Sequence, residues 1–198
     1  MKKIVFFLSA IFIFLAVSTI FAQEKEKKKE PVKPALLVID IQNKFLPFMD
    51  KDDKEMGMMV INGVISAFRG QNLPIIRVYH TSPGWGPEPG TEDFEFPESV
   101  LIKDEDPKIV KNFPSAFQKT ELDKILKEKG VNTLFLCGLS SVGCVLATYF
   151  GGVERDYKVF MIKSGIFSHN AEYTNVVEDI TETVSYQTMG FMLENLKK

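Results

Sequence analysis

The chain has 198 residues, 45% of them hydrophobic and 25% charged, with a formal net charge of −2. That is enough apolar material for one globular domain with a sizeable core. The mild acidity, with no basic stripe, lacks the electrostatic footprint of a nucleic-acid binder.

Met1-Lys2-Lys3 is a basic start, and Ile4 to Ala22 is almost wholly apolar. The pattern reads as an export leader over residues 1–22, cleaved after Ala22. Its length also suits an uncleaved membrane anchor, and either reading puts the domain outside the cytoplasm. Contact with a membrane is expected only in the uncleaved case. Loss of the leader removes Lys2 and Lys3, leaving 22 basic against 26 acidic residues and a net charge of −4. Residues 23–34 are Lys/Glu-rich with two prolines and no apolar periodicity, a charged linker ahead of a domain at residues 35–198.

Ala35 to Asp40 is a continuous apolar run closed by a carboxylate, as in a strand buried on both faces. Gln42 to Asp53, with Pro47 and Asp52-Asp53, reads as a loop. Met59 to Phe68 repeats apolar residues at helical spacing, and Gly70 stops it. Pro74 to Tyr79 is a second buried strand, with His80 at its end. Thr81 to Pro107 carries five prolines, three glycines, Trp85 and a run of acids. A loop of this length within a domain is usually functional, and it suits a rim or lid over a pocket. Ile109 to Lys111 is a short strand, and Thr120 to Glu128 a helix stopped by Gly130.

Leu134 to Cys137 reads as a strand that breaks at Gly138 into small residues and restarts as a helix from about Cys144. A thiol at such a junction meets free N–H groups and the positive helix end, which favour thiolate and can receive an oxyanion. The two cysteines, Cys137 and Cys144, could pair in an oxidising compartment. A bridge needs Cα atoms within about 7 Å across the six residues between them, and the strand–helix placement argues against it. Lys158 to Ile162 is a further strand, Ser168 to Ile180 a helix, Thr183 to Tyr186 a last strand and Met189 to Leu196 a closing helix. Strands alternating with helices imply a doubly wound, mainly parallel α/β sheet with helices on both faces.

Ligands of open α/β sheets gather at the carboxyl ends of the strands. Asp40, His80, Lys111 and Cys144 all fall at or just past such ends, giving an acid, a base and a thiol, the parts of a covalent hydrolase. Each residue alone has a plainer reading: a cap, a structural histidine, a solvated lysine, a small buried thiol. Periodicity and spacing by themselves support an α/β domain with a candidate thiol site.

Three segments in order resemble the isochorismatase-like cysteine hydrolases. Residues 35–45 carry the opening strand with Asp40, Gln42 and Phe45. Residues 109–117, followed by Thr120 and Leu122, resemble the lysine segment, with Lys111. Residues 138–145, with Thr148 and Tyr157, resemble the nucleophile motif, with Cys144 as nucleophile. The resemblance implies an Asp40–Lys111–Cys144 triad and a non-proline cis peptide between Leu139 and Ser140. It also implies an oxyanion site at Leu139, Ser140 and Cys144, and hydrolysis of a small amide or related C–N substrate. Vinyl ether cleavage of the isochorismatase kind, with Asp40 as acid, is the alternative, and a non-catalytic binding protein a third. Gln42, Phe45, His80, Trp85 and Phe117 are the expected substrate lining. No cofactor is expected. The metal-bearing members place Asp-x-His and further histidines after the second strand; here that region offers His80 alone, so no metal is expected. Gly151 and Gly152 stand where Asp-Ala is common and weaken a helix by about 1 kcal/mol each. A small-molecule substrate and a dimer or larger assembly are the expected partners.

Overall fold

Six parallel strands form one sheet in the order β3-β2-β1-β4-β5-β6. They are β1 (Pro34–Ile39), β2 (Ile75–His80), β3 (Lys108–Lys111), β4 (Thr133–Leu139), β5 (Lys158–Phe167) and β6 (Thr183–Val184). The computed structural model describes residues 30–84 and 86–196, so the export-leader reading, most of the linker and Trp85 lie outside the described residues. Among the described residues no helix is long and apolar enough to cross a membrane.

The helices are α1 (Lys51–Gly70), α2 (Leu122–Glu128), α3 (Leu146–Val153), α4 (Ala171–Ile180) and α5 (Tyr186–Glu194). Alternating strand residues feed two cores. Leu36 and Val38 pack with Ile61, Val64, Ile65 and Phe68 of α1 and with Met189 and Leu193 of α5. Leu37 and Ile39 pack with Leu122 and Leu126 of α2, Tyr149 of α3 and Val177 of α4. The result is a three-layer α/β fold with both sheet faces covered, which is why β1 and β4 read as unbroken apolar runs.

Two boundaries and the role of one loop differ most from the sequence reading. Helix α1 begins eight residues ahead of Met59, because Asp50 caps it: its carboxylate accepts from the N–H groups of Asp52 and Asp53 at 3.1 and 3.0 Å. Asp52 and Asp53 then complement the helix dipole instead of forming a loop. Strand β5 runs on to Phe167 through Lys163-Ser164-Gly165, helped by a register shift against β4 and by Ser164 at φ 56°. The segment 81–107 is irregular as predicted, but its described residues do not line the cavity beside Asp40 and Cys144. Its Phe94 and Phe96 are buried and stack on Tyr79 at 5.0 and 4.3 Å between ring centroids. It also buttresses the chain after β1, where Asn43 and Lys44 donate backbone bonds to the carbonyls of Glu95 and Asp93.

Candidate active site

The strand order reverses between β1 and β4, and the crevice at such a switch point is where α/β sheets bind ligands. A cavity of about 490 Å³ opens there. Asp40, at the end of β1, has φ 56°, and its N–H donates to the Val78 carbonyl. That bond ties the turn to β2 and carries the carboxyl into the cavity wall.

Lys111, the last residue of β3, has a fully buried side chain whose Nζ donates to Asp40 Oδ2 at 2.7 Å and lies 3.1 Å from His80 Nδ1. Asp40 Oδ1 is buried with no hydrogen-bond partner among the described residues. Burial raises the Asp40 pKa, and the Lys111 charge opposes that rise. His80 is pushed down to about 4 by burial and by the Lys111 charge, so its ring is neutral at physiological pH.

Cys144 hangs from the opposite side. β4 ends at Leu139, the Leu139–Ser140 peptide is cis, and a tight π-type turn covers Ser141–Val145 before α3 begins at Leu146. The helix therefore starts two residues after the thiol. Thr148 anchors the turn, donating its hydroxyl to the Cys144 carbonyl at 2.7 Å while accepting from the Ala116 N–H at 3.0 Å. Behind the turn, buried hydroxyls of Ser141, Thr174 and Ser168 lie 3.2 and 3.1 Å apart in a chain that links it to α4 and the end of β5.

The Cys144 sulfur, an Asp40 carboxyl oxygen and a His80 ring nitrogen fall within 4.8 Å of one another, the one such group of potential metal ligands among the described residues. The Lys111 ammonium already bonds Asp40 and His80, so the protein itself supplies the positive charge there. Both cysteines are free thiols. The expected thiolate is corrected: burial, then the Asp40 charge, push Cys144 up to about 12, and the neighbouring Lys111 only partly offsets them. A helix end contributes about 0.3–1 kcal/mol at the surface, too little to win.

Phe45, His80, Leu139, Ser140 and Cys144 line the cavity. Two of the predicted lining residues stand elsewhere. Gln42 is buried, its amide donating to the His80 carbonyl at 3.0 Å and accepting from the His80 N–H at 2.7 Å, so it clamps the ends of β1 and β2 together. Phe117 is buried in the α2–α3 core, stacked on Tyr157 at 5.8 Å. Gly151 admits it, since a β-carbon there would lie 3.2 Å from the Phe117 ring and 2.6 Å from Ser115 Oγ. Lys44, Phe48, Met49, Gly143 and His169 complete the wall and were not foreseen. His169 lies just past the true end of β5, so the strand-end rule would have found it had that strand been read to Phe167.

This sheet, with its cavity at the switch point, defines a three-layer α/β domain with both faces covered by helices. The chain belongs to the isochorismatase family, whose isochorismatase domain matches residues 34–184. It is 37% identical over 128 residues to the isochorismatase family protein YddQ of Bacillus subtilis, covering 62% of this chain and 71% of that one. The fold superimposes on an isochorismatase-like hydrolase from Alkaliphilus metalliredigens with a TM-score of 0.77 at 22% identity, over 84% of this chain and 94% of the other. N-carbamoylsarcosine amidase from Thermoplasma acidophilum aligns with a TM-score of 0.67 at 23% identity, over 78% and 95%.

Proposed function

We propose that the chain is an exported cysteine hydrolase that cleaves a small amide or related C–N bond. The observation that carries this is the Cys144 sulfur within 4.8 Å of an Asp40 carboxyl oxygen, both lining the same cavity, with Lys111 bonded behind Asp40. The volume suits a small molecule, and Phe45, Phe48 and Met49 offer its body an apolar seat. Export rests on the apolar leader pattern of residues 1–22.

In this mechanism Asp40 takes the thiol proton as the sulfur bonds to the substrate carbonyl carbon. A thiol held near pKa 12 is activated only in concert with that transfer, and burial makes Asp40 a stronger base than an exposed carboxylate. Lys111 keeps the carboxylate ionised until then. The Ser140 and Cys144 N–H groups receive the tetrahedral oxyanion. Collapse breaks the C–N bond, and the departing amine collects the proton from Asp40. Water then gives a proton to Asp40 and attacks the thioester, releasing the acid; the proton returns to the sulfur.

The test is intact-mass analysis during turnover of a panel of primary amides, with ammonia release as the rate. An acyl adduct on Cys144, and loss of turnover in Cys144→Ala with the fold kept, is the expected result. Unchanged turnover in that variant ends the mechanism. A second reading, vinyl ether hydrolysis, draws on the same shifts: a reluctant thiol beside a carboxyl that holds its proton to higher pH suits acid chemistry by Asp40. Under it Asp40→Asn is inactive on isochorismate and Cys144→Ala is active.

A further inference from the structure

His80 is held from three directions. Its backbone is pinned on both sides by Gln42. Its Nδ1 faces the Lys111 ammonium at 3.1 Å. Its ring leans on Phe45, with centroids 6.1 Å apart and planes at 58°. Yet the ring also lines the cavity, within 4.8 Å of the Cys144 sulfur at its nearest ligand nitrogen, and Nε2 has no hydrogen bond to the described residues. An ammonium can only donate, so Nδ1 must accept, and the single proton of the neutral ring belongs on Nε2.

We propose that His80 is a fixed hydrogen-bond donor to the ligand, its Nε2–H presented to a carbonyl or carboxylate oxygen bound beside Cys144. Lys111 thereby has two tasks: it pairs with Asp40 and sets the tautomer of the ring that selects the ligand. The neutral state supports this, because the ring does not compete with Lys111 for Asp40 at physiological pH. A ligand without an acceptor at this point leaves a buried N–H unpaired, which disfavours it. The proposal rests on the reading that ligands react at Cys144 in this cavity, but not on which bond is cleaved.

The probes are iodoacetamide, which carries a carbonyl acceptor next to its reacting carbon, and allyl iodide, which has none. Alkylation of Cys144 is followed by intact mass. His80→Asn keeps an acceptor for Lys111 and removes the outer donor; it should lower the iodoacetamide-to-allyl-iodide rate ratio about threefold to tenfold, the worth of one hydrogen bond. His80→Gln, whose amide nitrogen reaches the place of Nε2, should hold the ratio within about twofold. An unchanged ratio in His80→Asn, or an equal loss in both variants, overturns the proposal. Effects on thiol reactivity alone cancel in the ratio. Nitrogen NMR of the unsubstituted protein checks it independently of any variant's folding: the Nε2–H tautomer is expected, and the Nδ1–H tautomer overturns it. Failure to hydrolyse any amide would refute the amidase reading and leave this result standing.

Discussion

Replacing Lys111 with methionine keeps the buried stem and removes only the charge. Asp40, 2% exposed, then loses its 2.7 Å donor at Oδ2 while Oδ1 already has none. Breaking one half of a buried ion pair costs about 3–5 kcal/mol. The carboxyl can escape part of that cost by taking a proton. Burial raises its pKa even with Lys111 present, and removing the cation raises it further. The folded variant therefore binds a proton that the unfolded chain lacks at neutral pH, so its stability falls as pH rises. The deficit against the unsubstituted protein should be largest near pH 7–8 and shrink toward pH 4, by up to about 1.4 kcal/mol per pH unit. Urea unfolding at pH 5 and pH 7.5, followed by circular dichroism, measures it. Asp40→Asn/Lys111→Met, with no buried charge left from this pair, should recover most of the loss. A Lys111→Met protein within 1 kcal/mol of the parent at pH 7.5, or a deficit that does not change with pH, refutes this account.

Gly138 has φ 122°, and a β-carbon on it would collide with the carbonyl oxygen of Ile39, its sheet partner; Gly138→Ala should cost at least about 3 kcal/mol, read as a lower urea midpoint. Thr174→Val removes the hydroxyl that joins Ser141 to Ser168 and should destabilise by about 1–3 kcal/mol in the same assay, with Thr174→Ser close to the parent. Because the folded Cys144 thiol holds its proton to about pH 12 and the unfolded one releases it near 9, Cys144 should contribute a fall in folded stability above pH 9 of up to about 1.4 kcal/mol per pH unit, on top of that from Cys137, whose thiol burial also pushes up; Cys144→Ser should lack the Cys144 share, and equal alkaline slopes would contradict it.

The strands of the fold were legible because burial on both faces leaves an unbroken apolar signature, and β1 and β4 carry it plainly. Helix α1 was half legible: its apolar stripe showed, but its cap lay in a stretch whose proline, Pro47, and acids look like loop. The extension of β5 through Lys163-Ser164-Gly165 was not legible, since a register shift lets polar residues stay in a strand. That error hid His169. Lining residues were the weakest part, as whether Gln42 or Phe117 faces a cavity depends on hydrogen bonds and ring packing set by distant segments. The charge state of Cys144 was misread for a related reason: the local backbone argument held no information about how deeply the fold buries the thiol, or about the carboxylate that β1 brings to it.

Lys111 reaches the centre of the molecule from a four-residue outer strand paired on one side only. Asp40 directly follows β1 and Cys144 sits in the turn after β4, and both of those strands are flanked by strands on both sides. Fraying of that margin would strand the acid without its counter-ion while most of the domain stayed intact. Loss of chemistry on gentle heating should thus precede loss of shape.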